Sequence, residues 1–185
     1  MVTTTPTTLR EKVTEAPALQ TSSLADTLRE EAITLARRRL AEAQRKADLA
    51  ALLRDSGFLG NFKYGLVFGV TNALTANDQR VRAVYTYDPG LNADGEVGEE
   101  MPLDVTLHLL VLVEAPSAAL EAFIHALDRA LTESLKRLPS PLFAQREFSL
   151  DVSLITEQDV RRSLGPAGLL SAVFTPPIKV WPREA

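Results

Sequence analysis

Apolar positions recur at helical spacing in the first third of the chain. Leu24, Leu28, Leu35, Ala43, Ala47, Ala50 and Leu53 fall near a 3.6-residue period, with Ala32, Ala36 and Leu40 alongside. Ser23-Leu24-Ala25-Asp26 reads as a capping-box-like start that sets a carboxylate near the positive end of a helix. Neither Gly nor Pro interrupts the pattern before Gly57. The spacing therefore predicts one continuous helix over 23–56, preceded by a Thr- and Pro-rich flexible tail at 1–22. At 1.5 Å per residue such a helix spans roughly 48 Å. That exceeds what a compact domain needs, so part of it, with Leu35 on its stripe, is expected to pack on a partner or a second copy.

From Asn61 the period shortens to two. Phe62, Tyr64, Leu66 and Phe68 alternate with Lys63, Gly65, Val67 and Gly69, a strand pattern, and 72–79 reads as a connection. Val81, Ala83, Tyr85 and Tyr87 then alternate with Arg82, Val84, Thr86 and Asp88, which predicts a hairpin ending at Asp88-Pro89-Gly90. Residues 90–100 read as an acidic loop. A third strand runs over 103–114, its second half apolar on both faces and so central in a sheet. Ser117 opens a helix with the stripe Leu120, Phe123, Ile124, Leu127, Leu131 and Leu135, closed by Pro139 and Pro141. A fourth strand at 148–155, a short helix from Thr156 and a proline-bounded tail follow. The order α-β-β-β-α-β-α predicts an α/β (α+β) fold: a long N-terminal helix, then a sandwich domain over 57–185. Its mixed sheet of about four to five strands contains a βαβ unit that makes the third and fourth strands parallel.

Composition narrows the classes. The chain has 185 residues, 45% of them hydrophobic and 24% charged, enough to bury a core without staples. It has no cysteine, which excludes disulfides, thiolate nucleophiles and Cys-ligated zinc. A net charge of -4 gives no bulk attraction to nucleic acid or acidic lipid. The longest apolar run, 103–113, contains Asp104 and His108 and falls short of the roughly 20 residues of a membrane span. No basic start with an apolar segment opens the chain, so the expected location is the cytoplasm, with no membrane partner.

Strand alternation gathers the candidate chemistry. Asp104, Thr106 and His108 share one face of the third strand, and Asp151 and Ser153 share it on the fourth. Two carboxylates and an imidazole can ligate a hard metal or do acid–base work, which makes Asp104, His108 and Asp151 catalytic candidates and Asp104 and Asp151 metal candidates. Arg80 and Arg82 are expected to extend that face and supply compensating charge. Arg37, Arg38 and Arg39 make the long helix locally basic and, with Leu35, are the interaction candidates.

The run Tyr64-Gly65-Leu66-Val67-Phe68-Gly69, the later Leu109-Leu110-Val111-Leu112-Val113-Glu114, a helix, and Leu150-Asp151-Val152-Ser153-Leu154-Ile155 follow one another in an order that resembles the minimal nucleotidyltransferases, which share a core with DNA polymerase β. The resemblance covers roughly Ala51 to Arg162. It implies a nucleotide-binding role for Gly69, after the family's Phe-Gly-Ser motif, and a metal-binding role for Asp151. Val70 stands where that motif has Ser, and Thr106 and His108 stand where the family has paired carboxylates. A member with these replacements is expected to have lost two-metal chemistry. The reading is a non-catalytic binding or assembly protein with a protein partner or self-association through the long helix, and no cofactor. Its alternatives are a metal-dependent nucleotidyltransferase-type enzyme using Mg or Mn, and a nucleic-acid-associated factor using the basic helix.

Overall fold

A computed structural model of the chain describes residues 15–87, 106–141, 143, 148–173 and 176–182. Of the features above, residues 1–14 of the expected tail, the acidic loop and Asp104 lie outside them. The elements in order are α1 (Glu15–Arg39), α2 (Glu42–Arg45), α3 (Leu49–Leu52), α4 (Ser56–Asn77), β1 (Val81–Tyr87), β2 (Thr106–Val113), α5 (Ala118–Leu135), β3 (Ser149–Ile155), α6 (Glu157–Arg162), a 3-10 helix at Gly165–Ser171, and β4 (Ile178–Trp181).

The first correction falls on residues 62–69, which are helix, not strand. Asp55 caps the start of α4, its Oδ1 accepting from the Phe58 amide at 2.8 Å. Phe58, Phe62, Leu66, Val70 and Leu74 then bury one side, and Gly65, Val67 and Gly69 are buried as well. The exposed side of this helix carries Gly57, Gly60 and Tyr64 and no run of charges, so the stretch also shows alternate apolar residues. The glycines settle which period is real. A Cβ on Gly65 would lie 2.9 Å from the Ala32 Cα, and one on Gly69 would lie 2.8 Å from Leu28 Cδ2. Two glycines one turn apart thus bring α4 against the small-residue stripe of α1, and the reversed order of partners makes the two helices antiparallel.

The second correction is the long helix. It begins ahead of Ser23, at Glu15, and stops at Arg39, where Ala41 turns extended with φ -59 and ψ 151. No breaker residue is needed, because arginine side chains satisfy the carbonyls that the stop leaves open. Arg45 donates from Nε to Leu40 O at 2.9 Å and from Nη2 to Arg38 O at 2.8 Å, and Arg37 Nη1 donates to Arg45 O at 2.9 Å. Leu40 is buried and anchors the turn. Asp26 does not cap a helix start. It accepts from Ser134 Oγ at 2.6 Å and pairs with Arg29 and Arg137, tying α1 to α5. The Ser134 hydroxyl and the two guanidinium groups hold its carboxyl below the usual range.

The sheet order is β3-β2-β1-β4. β2 pairs parallel with β3 through the α5 crossover, as the pattern predicts; with 62–69 helical, β1 pairs antiparallel with β2 in place of the expected hairpin, and β4 adds an antiparallel edge from what reads in the sequence as a tail. Leu109, Leu110 and Val111 are fully buried, so β2 is central on both faces. On one face Leu107, Leu109, Val111 and Val113 join the main core with α4 and α5, and α1 packs over those two helices. On the other, Leu110, Ile155 and Ala167 form a second cluster with Tyr85, Leu112, Val160 and Leu170. Asp78 ties the end of α4 to Arg80, which reaches Ser117 at the start of α5, and these contacts pull the Asp78 carboxyl down to about 2.

Two glycines of α4 provide a paired test of this packing. Gly60 has nothing within 4 Å of a built Cβ, so Gly60→Ala is expected to stabilise by about 0.5–1 kcal/mol through helix propensity. Gly65→Ala gains the same propensity but drives Cβ into the Ala32 backbone, and overpacking of about 1–3 kcal/mol makes it net destabilising. Urea denaturation of both variants at pH 7 reads the opposite signs.

Candidate functional site

The second sheet face carries the chemistry. Strand register places Tyr87 opposite His108 and His108 opposite Asp151, so three strands present a phenol, an imidazole and a carboxylate in one row. The expectation that His108 and Asp151 share a face is met as a contact: His108 Nδ1 lies 2.9 Å from Asp151 Oδ2. A carboxylate only accepts, so Nδ1 carries a proton and donates it to Asp151. The Tyr87 ring stands against the imidazole with centroids 5.3 Å apart, tilted by 38°. Thr86 Oγ1 donates to the His108 carbonyl at 3.1 Å and pins β1 to β2 beside the row. The His108 side chain is 13% exposed and that of Asp151 48%, so the imidazole is enclosed and the carboxylate is at the rim.

Burial shapes the electrostatics of the row. The Tyr87 phenol is pushed above its ordinary range first by burial and second by the negative charge of Asp151, both of which disfavour a phenolate. Tyr87 also packs against Leu110, Ile155 and Ala167, which couples the polar row to the apolar half of the face. The 3-10 helix supplies Ala167 and Leu170 to that half, while α6 starts in a capping box in which the Thr156 and Asp159 side chains bond each other's backbone amides. That box spends the side chains of Thr156 and Asp159 on structure.

The other sequence candidates go elsewhere. Arg82 pairs with Glu114 and Arg80 with Asp78, at the end of β1 away from Tyr87, so neither arginine compensates Asp151. Gly69 sits inside α4 against Leu28, where it serves helix packing and not a phosphate. With residues 64–69 helical, the opening strand on which the nucleotidyltransferase resemblance rests is absent. Leu35 is half-buried against Gly65, Arg37 caps carbonyls, and the Arg39 guanidinium lies over the Tyr64 ring at 5.0 Å. Arg38 alone of the basic run is an exposed side chain without such a role in the turn. Among the described residues, no three His, Cys, Asp or Glu side chains gather closely enough to hold a metal ion, and no helix is long and apolar enough to cross a membrane.

Tyr87 is the residue the pattern reading passes over. Its place at the end of the alternating run Val81, Ala83, Tyr85 and Tyr87 is the signal for it. Compared with protein families, with curated proteins and with solved structures, the chain matches none.

Because folding raises the Tyr87 pKa, its contribution to stability is complete below the ordinary tyrosine value near 10 and is lost as pH climbs through the folded value. Absorbance titration at 295 nm should show one late-ionising tyrosine. Asp151→Asn should bring that titration earlier without normalising it, since burial is the larger cause; an unchanged curve in Asp151→Asn would separate Tyr87 from the row.

Proposed function

We propose that this chain is a non-catalytic binding protein whose ligand docks on the second sheet face, over Tyr87, His108 and Asp151. The observation that carries the reading is the row itself: three strands hold a phenol, an oriented imidazole and a half-exposed carboxylate at matched register. Such a row offers an acceptor to a ligand's N–H or O–H groups and an aromatic wall to its apolar part. The apolar stripe of α1, with Ala25, Leu28, Ala32 and Ala36, is buried against α4 and α5, which supports contact through the sheet over contact through the long helix. Arg37 spends its guanidinium on the Arg45 and Ala47 carbonyls and Arg39 lies over the Tyr64 ring, which speaks against a nucleic-acid role for them.

A second reading is favoured by one distance. The 2.9 Å bond from His108 Nδ1 to Asp151 orients the imidazole as a general base would be oriented, and an enzyme could use it. If that enzyme were metal-dependent in the nucleotidyltransferase manner, Asp151 would be a ligand and Mg or Mn the ion. Thr106 and His108 at the positions of paired carboxylates support binding over that chemistry.

Two measurements decide between the readings. A fragment screen read by amide chemical shifts should give binders that move Tyr87, His108 and Asp151 together, and His108→Ala should abolish those shifts. Fragments that cluster on other residues would refute the site. Millimolar MnCl2 should leave the melting temperature unchanged. A rise that Asp151→Asn removes would replace the binding reading with the metal-dependent enzyme.

A further inference from the structure

The sheet ends in two edge strands that are treated very differently. β4 is four residues long, lies between Pro176-Pro177 and Pro182, and carries Lys179, all of which discourage a further strand from pairing. β3 is seven residues long, contains neither Pro nor Lys or Arg, and pairs with β2 alone among the described strands. Its one charge, Asp151, turns to His108 in the neighbouring strand. The Leu150 amide is taken by Asp128 Oδ1 of α5 at 2.7 Å, so the template for an added strand is the stretch of outer edge beyond it, along Val152 and Leu154.

A groove runs beside that edge. It has a volume of about 300 Å3 and is lined by Val152 and Leu154 of β3, by Glu121, Ile124 and His125 of α5, and by Pro116 before the helix. Leu150 is buried on the same face of β3, whereas Val152 and Leu154 are only partly so, and the groove therefore opens along the strand. Val152 and Leu154 are two residues apart, roughly 6.6 Å along a strand, which is the repeat of side chains on one face of an added strand. Glu121 and His125, one turn apart on α5, are both exposed at its wall.

We infer that the β3 edge and the β3–α5 groove bind an extended peptide by strand addition, with apolar side chains at alternate positions in the groove and a Lys or Arg opposite Glu121. Backbone pairing along β3 supplies affinity, and the groove supplies selectivity through alternate side chains. The basic residue follows from charge complementarity with the exposed Glu121 carboxylate. This deepens the binding reading by naming a partner class, but it uses a separate surface from the row of Tyr87, His108 and Asp151.

The test is selection of phage-displayed random decapeptides on the full chain, followed by polarisation titration of the selected peptide carrying a fluorophore. The selected set should alternate apolar residues and carry a Lys or Arg at a fixed offset. Leu154→Lys, which plugs the groove, should weaken binding at least tenfold. Glu121→Lys should weaken it several-fold, and repeat selection on that variant should exchange the basic residue for Asp or Glu, a result that loss of fold would not produce. Glu121→Lys should leave the fragment shifts at Tyr87, His108 and Asp151 in place, so failure of the sheet-face site and failure of this groove read separately. No peptide enriched above background, a set without alternation, or affinity indifferent to both Leu154→Lys and Glu121→Lys would overturn the inference. A dimer in sedimentation that Leu154→Lys dissociates would give the edge to a second copy and overturn it too.

Discussion

The approach of α4 to α1 at Gly65 is the contact on which the rest of the molecule is arranged. A built Cβ there falls 2.9 Å from the Ala32 Cα, closer than side-chain carbons come to other backbones, so only glycine permits the packing. With that contact made, α1 and α4 become an antiparallel pair, and α5 completes a helical layer bound to α1 through Asp26, Arg29 and Ser134. The same contact consumes the apolar stripe of α1. A helix that by itself invites a partner is thereby turned into an internal wall.

That arrangement gives the sheet two unequal faces. The helices cover the face of Leu107, Leu109 and Val111 except along β3, while the other face has only a short helix and a 3-10 turn over its apolar half. What remains is the polar row, and register alone aligns it: one residue of slip in β3 would turn Asp151 into the core and bring Val152 or Leu150 out. The enclosed imidazole and rim carboxylate are a consequence of strand pairing, and the position of Asp151 on the edge strand places the proposed binding row and the proposed peptide groove back to back on β3.

Much of this was legible in the residues, and the failures share a cause. β1, α5 and β3 follow from alternation and from the Leu120–Leu135 stripe because each has one buried and one freer side, and β2 follows from its short run that is apolar on both faces. The meeting of His108 with Asp151 follows from the parallel βαβ pairing. α4 defeats the method because its exposed side carries Gly57, Gly60 and Tyr64 and no run of charges, so no polar face marks the helical period; the signal lay in Gly65 and Gly69 one helical turn apart. The break after Arg39 was hidden because a side chain from beyond the turn, that of Arg45, supplies the cap that Gly or Pro usually marks. β4 was obscured by its prolines, which mark a tail and an edge strand equally well.

The central claim, that residues 56–77 are a buried helix packed backbone to backbone on α1, is tested most directly by nuclear Overhauser contacts in the full chain. The account predicts a contact between the Hα protons of Gly65 and the Hα or methyl of Ala32, with sequential amide–amide contacts running through 58–74. Strong sequential Hα–amide contacts over 62–69, with cross-strand contacts from these residues to 81–87, would contradict it and restore a hairpin in place of the helix.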